Sequence, residues 1–150
     1  MEKALSKRAV LMWRMYEVIR LIIFLLLYVI VHFFVPVWVV LGLVCLWIAD
    51  AILFVFFVPR WKWERWRYMI RDREIELEHG VWIRKRTLIP IPRIQHVDVK
   101  QGPLARRKKL ASLYIYTAAT VHEIPFLDEQ EAEKLRYYIS SLVKEDENDA

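Results

Sequence analysis

Hydrophobic and polar positions divide the chain into three textures. From Leu21 to Val58 the apolar run spans 38 residues, interrupted only by His32, Cys45 and Asp50 among readily ionised side chains. As one helix it would be about 57 Å long, nearly twice the roughly 30 Å hydrocarbon thickness of a bilayer, so the pattern predicts two crossings. Pro36 in "HFFVPVW" lacks an amide hydrogen and disfavours helical geometry at Val35, which puts the reversal near His32 to Val37.

The period then drops to two. "EIELEHGVWIRKR" sets Glu74, Glu76 and Glu78 against Ile75 and Leu77; His79-Gly80 offers a turn, and Val81 to Ile89 returns as the second strand of a hairpin. Pro90 and Pro92 belong at an edge or bend, followed by a strand near Ile94 to Lys100. Leu113 and Ile115 alternate with Tyr114 and Tyr116, and a further short strand is expected around Val121 to Ile124. From Asp128 the spacing becomes helical, with Ala132, Leu135, Tyr138, Ile139 and Leu142 on one face, Asp128 as N-cap and Glu131 three positions later in a capping-box arrangement. Short antiparallel strands closed by one amphipathic helix predict a membrane α hairpin joined to an α+β unit, a small antiparallel β barrel or sandwich capped by the C-terminal helix. The expected divisions are a basic cytoplasmic segment and helix start over 1–20, the transmembrane hairpin over 21–58, a cytoplasmic domain over 59–143 and a disordered acidic tail over 144–150.

Composition sharpens this reading. The chain is 57% hydrophobic, high for a soluble domain of 150 residues, and the hairpin accounts for the excess. "ADA" at Ala49 to Ala51 mimics a cleavage site, but the apolar region before it is far longer than the 7 to 15 residues a signal peptide uses. Lys3, Lys7, Arg8, Arg14 and Arg20 precede the hairpin, Arg60, Lys62, Arg65, Arg67, Arg71 and Arg73 follow it, and the turn carries no lysine or arginine. Basic flanks stay inside, which predicts a multi-pass protein with both termini cytoplasmic. "PRWKWERWRYMI" therefore begins at a membrane exit, where Trp61, Trp63 and Trp66 with Arg60, Arg65 and Arg67 are expected as an interfacial belt on anionic lipid rather than a nucleic-acid surface. Residues 59–109 hold 15 basic and 6 acidic side chains, net +9, whereas 110–150 hold 3 and 9, net −6. The basic half is the one tied to the membrane.

Candidate chemistry is sparse. Asp50 within an apolar helix costs about 2.5 to 3.5 kcal/mol on insertion scales and calls for a partner. With a turn near Val35, positions summing to about 70 face each other, so Arg20 is the expected partner in an intramembrane ion pair; a hydrated Asp50, a contact to another protein's helix, and a proton or ion site with His32 are the alternatives. The spacings of His32, His79, His96 and His122 match no metal-ligand pattern, and the single Cys45 cannot form an internal disulfide. Gly42, Gly80 and Gly102 make no phosphate loop, and Ser112 has no plausible base beside it, so no catalytic residue, metal or cofactor is expected. Arg84, Lys85 and Arg86, and Arg106, Arg107, Lys108 and Lys109, are candidates for contact with anionic lipid or a protein partner. Arg93 and Gln95 alternate on one face of an extended segment, and Gly102-Pro103 signals a turn.

At "LIPIPRIQHVDVKQGPLARR", "LASLYIYTA" and "VHEIPFLDEQEAEKLR" the chain resembles the YdbS-type bacterial pleckstrin-homology-like domain family, small membrane proteins with a helical hairpin ahead of the domain. The resemblance covers nearly the whole chain. It implies a pleckstrin-homology-like fold on the cytoplasmic side of a bacterial cell membrane, no catalysis, and association with a larger multi-spanning relative carrying related domains; some members are linked to envelope defence. One departure stands out: after Arg106-Arg107 the family tends to have an aromatic and a glycine, where this chain has Lys108-Lys109. The leading expectation is a noncatalytic subunit or scaffold. An anionic-lipid headgroup sensor is the alternative, a small ion- or proton-translocating unit the third, and exposed strand edges allow homo-oligomers.

Overall fold

The computed structural model describes residues 2–149. It opens with a strand, β1 (Glu2–Ala4), before any membrane helix. Helix α1 (Arg8–Val31) runs on through a 3-10 turn to Phe34; Val35 is extended, as a residue ahead of proline should be, and α2 (Val37–Ile52) starts after Pro36. A π-helical turn, Leu53–Phe57, joins α2 to α3 (Val58–Glu64) as one continuous rod. The two rods of 27 and 28 residues, Arg8–Phe34 and Val37–Glu64, have mean hydropathies of 2.3 and 2.7, and only 6% of each apolar window is buried within the protein. At 1.5 Å per residue each is about 40 Å long, enough to cross the hydrocarbon and continue beyond it.

The strands are β2 (Arg67–Ile70), β3 (Glu74–His79), β4 (Lys85–Pro90), β5 (Ile94–Lys100), β6 (Leu110–Thr117) and β7 (Val121–Asp128). A short helix, α4 (Pro103–Arg107), links β5 to β6, and α5 (Glu129–Asp149) closes the fold. All pairings are antiparallel, in two sheets ordered β1-β2-β3-β4 and β5-β6-β7, without closure into a barrel. Between them lies the core: Tyr68, Ile75, Leu77 and Ile89 from the first sheet, Leu113, Ile115, Ile124 and Leu127 from the second, and Ala132, Leu135 and Ile139 from α5.

Several expected boundaries move. Residues 1–20 are not a loose basic segment: β1 pairs with β2, Lys3 opposite Tyr68, so the whole hairpin is inserted into the first sheet and the domain begins before the membrane. Trp63 Nε1 donates to the Leu5 carbonyl at 2.8 Å, and Lys3 pairs with Glu131 at 3.2 Å, fastening this N-terminal strand to both α3 and α5. Asp128 also accepts from Ser6 of this segment at 3.4 Å, and Glu131 from the Tyr68 hydroxyl of the neighbouring β2 at 3.1 Å. The tail expected to be disordered from 144 continues α5 to Asp149, since neither Gly nor Pro occurs after Pro125 to stop the helix. Strand β4 starts at Lys85 rather than Val81, because Gly80 (φ +129) folds the chain so tightly that a Cβ there would lie 1.9 Å from the Ile83 carbonyl oxygen.

Candidate membrane-interface site

The first three turns of α1 leave the apolar environment and pack on the domain. Met12, fully buried, meets Ala105 and Leu110, which seats α4 against α1. Trp13 and Tyr16 meet Phe126, with ring centroids 5.8 and 6.3 Å apart. Phe126 adopts φ 51, a conformation bulky residues rarely take, at the point where the β6–β7 register slips between Ala111 and Leu113. Its amide bonds to Ser112 Oγ at 3.3 Å, so the hydroxyl holds a bulge rather than serving as a nucleophile. The bulge turns the Phe126 ring onto α1 and so joins the membrane rod to the second sheet.

The tryptophan belt is corrected in part. Trp61 (38% exposed) stays on the surface beside Arg60, which pairs with Glu64 at 3.2 Å. Trp63 is half-buried against the core, and Trp66 is 5% exposed, stacked on His79 at 5.5 Å. The reason is local: α3 ends at Glu64, the chain turns into β2, and position 66 then faces the sheet. Arg65 donates to the Val81 carbonyl at 2.6 Å, tying the β3–β4 loop to the end of the second rod, while Arg67 lies in β2.

Between α1, α3 and the ends of β3, β4 and β7 lies a cleft of about 560 Å³, lined by Trp13, Tyr16, Lys62, His79, Lys85 and His122 among others. Lys62 Nζ sits 4.7 Å from the Trp13 ring centroid. Burial, and then the Lys85 and Lys62 charges, hold the His79 imidazole below its ordinary pKa; burial and Lys85 do the same for His122. The cleft thus gathers Lys62, Lys85 and Glu123 around two imidazoles whose protonation is disfavoured.

The first basic cluster is divided. Arg86 pairs with Glu76 and Arg84 with Glu78 at 3.4 Å, so β3 glutamates hold two of the three cations, while Lys85 turns to the cleft. Arg71 closes on Glu76 from the other side at 3.3 Å. The Arg86 hydrogen bond, then the charges of Arg86 and Arg71, keep the Glu76 carboxyl below the usual range despite its desolvation. Arg106, Arg107, Lys108 and Lys109 are all exposed on and after α4, beside α1. Lys109 takes φ 55, the left-handed geometry suited to a glycine.

Within the rods, Arg20 Nη2 lies 2.8 Å from Asp50 Oδ2, and Arg20 Nε lies 2.7 Å from Glu17. Cys45 is exposed on α2, facing away from the protein. The four histidines do not gather at one site: His79 and His122 share the cleft, but His32 lies at the hairpin turn, His96 stacks on Tyr116, and no group of three potential ligands occurs among the described residues. Arg93 and Gln95 are exposed near the β4–β5 junction, and Gly102 caps α4 with Pro103 in its first turn. Sequence reasoning missed Trp82 and Ile83, each 82% exposed at the tip of the β3–β4 loop. Two large apolar residues abutting three cations are the signal, hidden because an aromatic and a β-branched residue also suit a strand.

Comparison with known proteins agrees with this architecture. The family profile described as bacterial PH domain matches residues 19–143. UPF0699 transmembrane protein YdbS of Bacillus subtilis (strain 168) is 37% identical over 142 residues, covering 91% of this chain and 89% of that protein. UPF0699 transmembrane protein YdbT of the same organism is 29% identical over 102 residues, 65% of this chain but only 19% of that longer protein. No solved structure matches the chain. Two apolar rods leading from a two-sheet, helix-closed domain, and a profile match spanning most of the sequence, make the chain a transmembrane member of the bacterial PH domain family.

Proposed function

We propose that the protein is a noncatalytic, membrane-anchored pleckstrin-homology-like module that serves as a subunit or scaffold of a bacterial membrane complex, its domain and both termini on the cytoplasmic side of the inner membrane. The observation that carries this is the insertion of the hairpin between β1 and β2. Both rods are rooted in one sheet, so the domain sits at a fixed height and the rods present fixed faces, of which only 6% is covered from within. In lipid, helix association depends on close packing and interhelical polar contacts. The Arg20–Asp50 pair supplies such a contact inside the hairpin, locking the rods in one register as a platform for a partner's helices. A multi-spanning protein with related domains is the partner this platform suits, and the partial match to the longer YdbT supports such relatives existing.

Co-purification of the tagged full-length protein from its native membrane in mild detergent tests the reading, at about 0.5 M salt to screen surface charge. Near-stoichiometric recovery of one multi-spanning protein is the expected outcome. A protein recovered alone with lipid would refute it.

A further inference from the structure

We propose that the β3–β4 loop is a membrane wedge: Trp82 and Ile83 enter the headgroup layer of the leaflet from which the rods emerge, and Arg84 and Lys85 meet the phosphates of anionic lipids. The proposal rests on the hairpin crossing the bilayer and is independent of any partner subunit.

Four observations converge. Trp82 and Ile83 are each 82% exposed, the highest exposure among the large apolar side chains outside the hairpin turn. The tip is held rigidly, because Gly80 closes it against Ile83 and Arg65 grips Val81 at 2.6 Å. That grip sets its place: Arg65 follows directly on Glu64, the last residue of the second rod. Val81, Trp82 and Ile83 form a compact bend at that grip, so the tip stays beside the end of the second rod, on the side where the chain leaves the bilayer. Lastly, the neighbours of the tip are cationic: Arg84 is largely exposed despite its pairing with Glu78, and Lys85 is exposed on the rim of the cleft.

Chemistry favours lipid over protein as the occupant. A specific protein interface needs about 800 Å² per partner, far more than a two-residue tip presents. Tryptophan beside an aliphatic residue and a rim of arginine and lysine is instead the composition that settles at a bilayer interface, where the indole sits at headgroup depth and the cations find phosphate. A preformed loop also loses little conformational freedom on insertion.

The test uses the full-length chain with Cys45→Ala and a nitroxide label at Ile83→Cys, purified and reconstituted into vesicles of phosphatidylcholine and phosphatidylglycerol. A label at Glu147→Cys, on the last turns of α5, serves as the aqueous reference. Collision with a water-soluble nickel chelate is expected to fall roughly threefold or more at position 83 relative to 147, with oxygen collision rising, as for a site at headgroup depth. Equal nickel access at the two positions would overturn the proposal. So would protection at 83 that is already present in detergent and grows with protein concentration, because a second copy would then cover the loop. Because only this protein and lipid are present, failure here leaves the subunit reading standing, and absence of a partner leaves the wedge standing.

Discussion

The hairpin and the β domain obey opposite rules with the same residue types. In the domain, isoleucine and leucine point inward, with Ile75, Ile115 and Leu113 fully buried, and ion pairs such as Arg71–Glu74 lie outside. In the hairpin, leucine and phenylalanine point outward, and the charged groups Glu17, Arg20 and Asp50 find one another. The difference is the solvent. Water expels apolar surface and hydrates charge; hydrocarbon does neither, so within lipid the charges must be satisfied by the protein itself.

The sharpest test of that contrast is a matched pair of truncations. Ile115→Ala in the core should cost about 2 to 5 kcal/mol in chemical unfolding of the purified protein, whereas Leu26→Ala on a lipid-facing surface should cost well under about 1 kcal/mol, because no cavity forms. Comparable losses would break the comparison. Next in size, Asp50→Ala should destabilise the hairpin by about 1 kcal/mol, in the range measured for interhelical polar contacts in membranes, read by thermal unfolding in detergent or nanodiscs. An unchanged transition would remove Arg20–Asp50 as a lock.

Smaller effects sit in the domain. Lys109→Gly should stabilise it by about 0.5 to 1 kcal/mol, since a non-glycine residue in the left-handed region costs about 1 to 2 kcal/mol and glycine returns part of the gain as chain entropy. Denaturant midpoints read this directly. Lys85→Ala should raise the titration midpoints of His79 and His122 towards 6.5 without restoring them fully, because burial is the larger cause; imidazole proton shifts in NMR report both. Folding disfavours protonation of both imidazoles, so the stability tied to them is present above about pH 6.5 and falls as pH drops towards their lowered values. Glu76 acts in the same direction at lower pH. Its folded value is depressed, so its contribution is complete above about pH 4.3 and disappears as pH falls through the depressed value. Glu76→Gln should therefore flatten the acid limb of the stability profile below about pH 4.3 while leaving the limb near pH 6 in place.

Much of the architecture was legible because periodicity survives in long elements. The hairpin shows as an apolar run with a proline, α5 as a helical stripe, and β3 and β5 as alternation. Strand β1 was not legible: three residues, "EKA", carry no pattern, and their place follows from pairing with a strand more than sixty residues away. The aromatic stretch after Pro59 was ambiguous for a physical reason, since tryptophan serves equally at a membrane interface and in a core; helix termination at Glu64 separates Trp61 from Trp66. Facing positions around a proline turn bring 20 and 50 together by arithmetic, and Arg20 and Asp50 are 2.8 Å apart in the structure. No such rule reaches the cleft, whose histidines come from strands in different sheets.

The placement of β1 ahead of the hairpin makes the domain a check on membrane topology. Its first strand precedes its neighbour β2 in the chain by both rods, and the two can pair only where both ends of the hairpin lie on one side of the membrane. A chain that crossed once would strand β1 on the opposite face of the membrane, leaving β2 as a bare edge and Trp63 without its carbonyl. Completion of the sheet thus reports correct insertion, and a misinserted copy exposes the kind of edge that quality-control proteases and aggregation both act upon.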